Sequence, residues 1–133
     1  MPVIDTEILF ALNPKDSKHE YAFRLLKERD DLTVTDTAIL EFQSVLRARG
    51  RRTTEVKIAL LALHEALKRH MVKEAKTIEA NLLALQCDLE ERYELSYFDS
   101  LIAASTLALD RIVVSDDRAF NKVPGIERIP LVK

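Results

Sequence analysis

The stretch Ile112-Val113-Val114-Ser115-Asp116-Asp117 contains the clearest strand of the sequence and ends in two acids. Three consecutive β-branched residues are typical of a short buried strand. Two other stretches, Val3-Ile4-Asp5-Thr6 and Leu32-Thr33-Val34-Thr35, are also rich in β-branched residues, and Glu127–Leu131 is a weaker example. The segment His70–Ala75 fits either a short strand or a helical bend. The sequence therefore predicts four or five short strands.

Apolar residues recur every three or four positions between these strands, which indicates amphipathic helices. We expect helices over Thr6–Leu12, over Lys18–Arg29, from a cap at Asp36 or Thr37 to Gly50, from Thr53 or Thr54 through Leu67, over Ile78–Tyr93 and over Ser100–Leu109. Short apolar strands that alternate with helices predict an α/β fold with a mostly parallel sheet. The length of 133 residues fits one domain with its own core.

Four acidic residues end or interrupt apolar segments, namely Asp5, Glu41, Asp99 and Asp117. A carboxylate in such a setting costs free energy unless it is solvated, paired or bound to a cation. Ligands of parallel sheets bind beyond the carboxyl ends of the strands, where Asp5 and Asp117 fall. We therefore expect the four acids to converge in one pocket, and an acidic pocket points to a hard divalent metal.

Each acid also has a purely structural interpretation. An aspartate that precedes a helix can accept hydrogen bonds from free backbone amides, so Asp5, Asp99 and Asp117 are candidate helix caps. Glu41 fits this interpretation less well, because it falls in the middle of a predicted helix. No Lys or Arg stands three or four positions from Glu41 to pair with it.

The charge balance limits how the chain can hold nucleic acid. The formal net charge of -2 gives no global attraction to a polyanion, so binding needs a local basic patch or a bound metal. The densest basic run comprises Arg47, Arg49, Arg51 and Arg52. Such a run is favoured at a solvated helix end, and it is also a candidate contact for RNA phosphates or an acidic partner segment.

Several other functional classes lack their motifs. The two glycines exclude the GxxxxGKS phosphate loop and the GxGxxG dinucleotide fingerprint, and the three histidines have no metal-ligand spacing. The single cysteine, Cys87, cannot form an internal disulfide, which favours a reducing cytoplasm. Its helical spacing from Leu83 predicts that Cys87 is buried. No apolar run reaches the roughly 18 residues of a membrane span.

The order and setting of the four acids resemble the PIN domain, the nuclease module of VapC-type toxins. The resemblance rests on four segments, Val3–Leu9, Ala38–Phe42, Leu95–Ala104 and Ile112–Phe120. The first matches an apolar strand followed by Asp-Thr, and the second matches the helix that bears the second acid. The third is the most specific match. The fourth resembles a strand followed by Thr/Ser-x-Asp-x-x-Phe, which selects Asp117 over Asp116 as the fourth acid.

This resemblance implies a PIN-like three-layer α/β fold over residues 1–133, with a mostly parallel four- to five-stranded sheet flanked by helices. It implies an endoribonuclease that depends on Mg²⁺ or Mn²⁺. In this interpretation Asp5, Asp99 and Asp117 bind the metal directly or through water, and Glu41 binds it or orients the attacking water. Thr6 and Ser115 supply supporting hydroxyls or contact the scissile phosphate, and Asp116 is a further candidate for this role.

The resemblance also implies an RNA substrate, a small antitoxin with a basic or aromatic tail, and a homodimer. One residue departs from the family pattern, since Glu7 stands where the family usually has asparagine. Two alternatives within the family are an RNA-processing nuclease without a toxin role and a catalytically silent scaffold that binds RNA or protein. The four intact acids argue against the silent scaffold, and Glu7 argues mildly for it. A phosphatase or phospho-acceptor domain is a further alternative, but the sequence lacks a lysine after a strand in a suitable position.

Overall fold

A computed structural model describes residues 1–132, so that Lys133, the last residue of the predicted domain, lies outside the described part. The strands form one five-stranded sheet in the order β3-β2-β1-β4-β5, and every neighbouring pair is parallel. Their bounds are β1 Val3–Ile4, β2 Thr33–Thr35, β3 Lys73–Ala75, β4 Ile112–Val114 and β5 Glu127–Ile129. The predicted parallel α/β architecture is therefore confirmed.

Six helices flank the sheet, and a short 3₁₀ helix, Arg118–Lys122, follows β4. The helices are α1 Thr6–Ala11, α2 His19–Glu28, α3 Asp36–Ala48, α4 Thr53–Arg69, α5 Ala80–Tyr93 and α6 Tyr97–Ala108. Helix α6 packs against α5 and α3, and α1 packs against α2 and α3. None of the helices within residues 1–132 is long and apolar enough to cross a membrane.

The order of the strands creates a switch point beside β1. The chain leaves β1 toward β2 on one side, whereas β4 pairs with the other side of β1 and continues to β5. The crevice beyond the carboxyl ends of two such strands is the usual ligand site of an open parallel sheet. Asp5 directly follows β1 and Ser115 directly follows β4, so the fold places both residues at this crevice.

The centre of the sheet is buried on both faces. Val3, Ile4, Val34 and Val113 have no exposed surface, as expected for short apolar strands that helices cover on both sides. Helix α6 is also central, because every residue from Ser100 to Thr106 is buried. The core therefore holds the strand ends and the start of α6 in a fixed arrangement.

The capping residues of two helices, α3 and α6, differ from the predictions. Helix α3 is capped by Thr35, whose hydroxyl accepts a hydrogen bond from the Ala38 amide (3.3 Å), and not by Asp36 or Thr37. Helix α6 begins at Tyr97 and is capped by Ser96, whose hydroxyl accepts a hydrogen bond from the Asp99 amide (3.2 Å). Serine at the cap with an acid three residues later is a common helix start. The prediction that Asp99 caps or opens α6 was therefore wrong, and its carboxylate is left for other contacts.

Two further sequence interpretations are resolved by the fold. The ambiguous segment His70–Ala75 contains edge strand β3, which pairs with β2 after a turn at Met71 (φ 61°). Cys87 is exposed, so the prediction of a buried side chain was wrong. The buried positions of α5 are Leu82, Gln86 and Leu89, and Cys87 lies about 100° away from Gln86 around the helix.

Candidate active site

Asp5 is the most deeply buried acid of the candidate site, with 6% of its surface exposed. Its Oδ1 accepts a hydrogen bond from the Thr6 amide (2.7 Å), so that it caps α1, and its Oδ2 accepts one from the Ser115 hydroxyl (2.6 Å). Burial raises the pKa of Asp5 to about 7 although both hydrogen bonds oppose the rise, and the charges of Glu7 and Glu41 add to it. The two hydrogen bonds therefore do not offset the cost of burying the ionised Asp5 carboxylate.

Ser115 connects Asp5 with Asp117. The Ser115 hydroxyl is buried, donates to Asp5 and accepts a hydrogen bond from the Asp117 amide (3.0 Å). The Asp117 carboxylate caps the 3₁₀ helix by accepting a hydrogen bond from the Ala119 amide (2.9 Å). The Ser115 hydroxyl therefore fixes the backbone at Asp117 relative to the Asp5 carboxylate.

Asp99 and Asp117 are direct neighbours. Burial raises the pKa of Asp99 to about 6, and the charge of Asp117, a hydrogen bond between the two side chains and the charge of Glu41 act in the same direction. The Ser96 hydrogen bond opposes the rise. Burial and neighbouring negative charge therefore disfavour the ionised form of Asp99, and a nearby positive charge would favour it.

Glu41 completes the group from α3. Its side chain is half-buried, and burial raises its pKa together with the charge of Asp117, whereas a hydrogen bond from Thr6 opposes the rise. The Thr6 hydroxyl is buried and also lies 3.4 Å from the Ala38 carbonyl oxygen. We call Asp5, Glu41, Asp99 and Asp117 the acidic cluster, since each of them interacts with at least one other member.

The acidic cluster offers ligand atoms but no closed ligand set. Across residues 1–132, no three His, Cys, Asp or Glu side chains are arranged to hold a metal ion as they stand. Carboxylate oxygens are nevertheless the ligands that Mg²⁺ and Mn²⁺ prefer. The raised pKa values of Asp5 and Asp99 also indicate an uncompensated negative charge that a cation would relieve. The donor chemistry therefore fits a hard divalent cation.

Asp116 has different contacts from its neighbour Asp117. Its Oδ2 lies 2.8 Å from the Lys18 ammonium, and its Oδ1 accepts hydrogen bonds from the amides of Leu131 (2.7 Å) and Val132 (3.1 Å). Glu7 lies beside it, since Glu7 Oε1 accepts a hydrogen bond from the Asp116 amide (2.6 Å). Sequence reasoning missed Lys18, because nothing in the local pattern indicates a partner 98 positions away.

The four arginines that are candidate contacts for RNA or a partner segment lie between the end of α3 and the start of α4, and all four are exposed. The Arg49 guanidinium sits 4.8 Å from the centre of the Phe10 ring. Arg51 and Arg52 approach Glu55 at 3.9 Å and 3.5 Å. These residues form a basic surface that is separate from the hydrogen bonds of the acidic cluster.

The chain is similar to solved toxin structures over nearly its whole length. The similarity to Mycobacterium tuberculosis VapC20, a sarcin-ricin loop cleaving toxin, has a TM-score of 0.71 with 18% identity over 91% of this chain and 93% of that chain. For VapBC2 of Rickettsia felis bound to a promoter DNA fragment, the TM-score is 0.65 with 16% identity, covering 96% of each chain. For FitAcB of Neisseria gonorrhoeae, the TM-score is 0.66 with 15% identity, covering 98% of each chain.

These identities are low, so the structural likeness extends to the fold alone. No curated protein matches the sequence significantly. The family model of the PIN domain matches residues 3–126, which include all four acids of the acidic cluster. The chain therefore belongs to the PIN domain family.

Proposed function

We propose that residues 1–133 act as one PIN-like domain that hydrolyses RNA phosphodiester bonds with the help of Mg²⁺ or Mn²⁺. The observation that carries this proposal is the mutual interaction of Asp5, Glu41, Asp99 and Asp117 at the switch point of the sheet. These residues come from four separate parts of the fold. A structural role for each acid alone does not account for the raised pKa values of Asp5, Glu41 and Asp99.

Asp5, Asp99 and Asp117 are the residues that would hold the ion, directly or through water. Mg²⁺ keeps several waters and is usually bound by only one or two carboxylates together with substrate phosphates. A closed cluster of three ligands is therefore not needed for this chemistry. When bound, such an ion lowers the pKa of a coordinated water and neutralises charge that develops on the phosphate.

The chain's own residues orient the acids and the substrate. Glu41, with its raised pKa, is suited to accept a hydrogen bond from the attacking water, or to bind the ion itself. Thr6 orients Glu41, and Ser115 orients both Asp5 and Asp117. The surface formed by Arg47, Arg49, Arg51 and Arg52 would bind RNA phosphates.

Cleavage of structured RNA by wild type and by Asp99→Asn tests this proposal. The asparagine keeps the size of the side chain but removes the charge, so Mg²⁺-dependent cleavage should be lost while the fold is kept. Asp88→Asn is the matched control, because Asp88 is exposed on α5. Equal cleavage by wild type and folded Asp99→Asn would overturn the proposal.

We further propose that the nuclease is the toxin of a toxin-antitoxin pair in the cytoplasm, forms a homodimer and binds a small antitoxin. This proposal is supported by the fold shared with VapC20 and with the VapBC2 and FitAcB structures. Induced expression should arrest growth, the Asp99→Asn variant should not, and a small co-expressed partner should relieve the arrest. Harmless expression of a confirmed active nuclease would favour RNA processing, and the absence of carboxylate-dependent metal binding would favour a silent scaffold.

A further inference from the structure

Glu7 lies close to the acidic cluster but has contacts of its own. It falls in the first turn of α1, two positions after Asp5, and its Oε1 accepts a hydrogen bond from the Asp116 amide (2.6 Å). Asp116 stands between Ser115 and Asp117, the two residues joined by the Ser115 hydroxyl. Hydrogen bonds accepted by a carboxylate from a backbone amide are among the stronger ones in proteins. Glu7 therefore holds the backbone at the middle of this turn.

Lys18 compensates the charge of Glu7 and Asp116. Its ammonium lies 2.8 Å from Asp116 Oδ2 and 3.5 Å from Glu7 Oε2. The hydrogen bond to Asp116 raises the pKa of Lys18, with burial opposing and the charge of Glu7 assisting, so Lys18 stays charged. We call Glu7, Lys18 and Asp116 the clamp. Because Asp116 also accepts the Leu131 and Val132 amides, the clamp joins α1, the start of α2 and the last described residues.

The clamp fixes the geometry on which the acidic cluster depends. The Ser115 hydroxyl can donate to Asp5 and accept from the Asp117 amide only while the backbone from Ser115 to Asp117 keeps its shape. We propose that Glu7 is a positioning residue, which sets the spacing of Asp5 and Asp117 as the hydrogen-bond acceptor of the Asp116 amide and is not itself a metal ligand. The part of this inference that concerns metal rests on the proposed function.

Two substitutions separate the hydrogen bond from the charge. Glu7→Gln keeps a carbonyl oxygen that can accept the Asp116 amide but removes the negative charge, whereas Glu7→Ala removes both. We expect Glu7→Ala to weaken Mn²⁺ binding, measured by calorimetric titration, on the order of 10-fold, as is typical when a group that orients a metal ligand is lost. Glu7→Gln should stay within about 3-fold of wild type. If Glu7 were a ligand, both variants would lose affinity equally, which would overturn the inference.

Hydrogen exchange of the Asp116 amide, measured by NMR on the metal-free protein, is the second readout. Glu7→Ala should accelerate this exchange on the order of 10-fold or more, and Glu7→Gln should preserve the wild-type rate. The matched controls are Glu20→Gln and Glu20→Ala, because Glu20 is an exposed acid on α2. Unchanged exchange in folded Glu7→Ala would show that Glu7 does not hold the turn.

This readout separates the inference from the proposed function, since amide exchange requires neither metal nor RNA. Failure of wild type to bind Mn²⁺ would refute the proposed function, while the exchange pattern would still decide whether Glu7 holds the turn. If Glu7→Ala does not fold, Glu7→Gln decides alone. Wild-type exchange and wild-type Mn²⁺ affinity in Glu7→Gln support the positioning role, and loss of either contradicts it.

Discussion

Two groups of carboxylates lie side by side at the carboxyl edge of the sheet, and they differ in the source of positive charge. In the clamp, Lys18 pairs with Asp116 and Glu7. Burial disfavours the charged form of Asp116, but the hydrogen bonds from Lys18, Val132 and Leu131 outweigh it and lower its pKa. In the acidic cluster, burial raises the pKa of Asp5 to about 7 and that of Asp99 to about 6.

The difference shows what a carboxylate near this edge needs. Where the chain supplies an ammonium group, Asp116 and Glu7 serve as structural contacts, and the pKa of Asp116 is lowered. Where it supplies only hydroxyls and amides, burial raises the pKa of Asp5 and Asp99, and the carboxylates are suited to an external cation. Asp116 and Asp117, which are consecutive in sequence, fall on opposite sides of this division.

The largest expected effect comes from comparing these two neighbours. Asp117→Asn keeps an oxygen that can cap the 3₁₀ helix but removes a charge from the acidic cluster, so RNA cleavage should fall by at least about 100-fold. Asp116→Asn weakens only the pairing with Lys18, and its loss should stay within about 10-fold. Steady-state cleavage assays on the two variants measure both effects. Equal losses of RNA cleavage in the two variants would show that the acidic cluster and the clamp do not differ in their role in cleavage.

Ser115→Ala should have an intermediate effect. This substitution removes the hydroxyl that donates to Asp5 and accepts the Asp117 amide. We expect Mn²⁺ affinity to fall roughly 10- to 100-fold, the usual effect of losing a group that orients metal ligands. The matched control is Ser44→Ala on α3, which should change the affinity little. Wild-type affinity in Ser115→Ala would mean that the bridge does not organise the cluster.

The stability of the metal-free protein should depend on pH because of Asp5. Burial raises its pKa to about 7 in the folded protein, whereas an aspartate in the unfolded chain has a pKa of 3.8. The unfolded chain therefore loses its proton first as the pH rises. Asp5 therefore contributes up to about 4 kcal/mol to the free energy of unfolding. This contribution is fully present below about pH 3.8 and is lost by about pH 7.

Urea unfolding of wild type and Asp5→Asn between about pH 4 and pH 8 measures this dependence. The asparagine cannot ionise, so the loss of stability with rising pH should be smaller in Asp5→Asn than in wild type. Asp116 has the opposite sign, because its lowered pKa adds stability at neutral pH that is lost in acid. If the free energy of unfolding changes with pH at the same slope in wild type and Asp5→Asn, the claim that burial disfavours the charged form of Asp5 is contradicted.

The smallest effect is expected at the basic surface. Arg52 is highly exposed, with 85% of its side chain accessible, and lies away from the hydrogen bonds of the acidic cluster. Arg52→Gln should weaken RNA binding modestly and lower the slope of log affinity against log salt by about 1, with an unchanged kcat. Binding titrations at several salt concentrations measure the slope. An unchanged slope would exclude Arg52 from phosphate contact.

Much of the fold and part of the candidate site followed from the sequence. The apolar strands Val3–Ile4 and Ile112–Val114 carry a strong local signal, and a parallel sheet brings their carboxyl ends together. Glu41 was identified as a candidate site residue because it interrupts an apolar segment in the middle of a helix and has no basic partner three or four positions away. The roles assigned to these residues in catalysis stay predictions.

Other features depend on tertiary contacts that no local pattern encodes. The pairing of Lys18 with Asp116 spans 98 positions, and it converts a candidate ligand into a structural contact. The errors at Asp99 and Cys87 have a different origin. Helix α6 begins at Tyr97, three residues before the predicted start, so its cap is Ser96. The buried face of α5 runs through Leu82, Gln86 and Leu89, and the prediction placed it one position later, at Leu83 and Cys87. Sequence periodicity locates a helix better than it locates the first residue of that helix.

Calorimetric titration of the metal-free protein with Mn²⁺ near pH 7, repeated in buffers of different ionisation enthalpy, tests the central claim most directly. If an external cation supplies the charge that the acidic cluster lacks, wild type should bind Mn²⁺ saturably and release protons from Asp5 and Asp99. Asp99→Asn should bind more weakly and release fewer protons. Absence of saturable binding in wild type, or binding that Asp99→Asn leaves unchanged, would contradict the account.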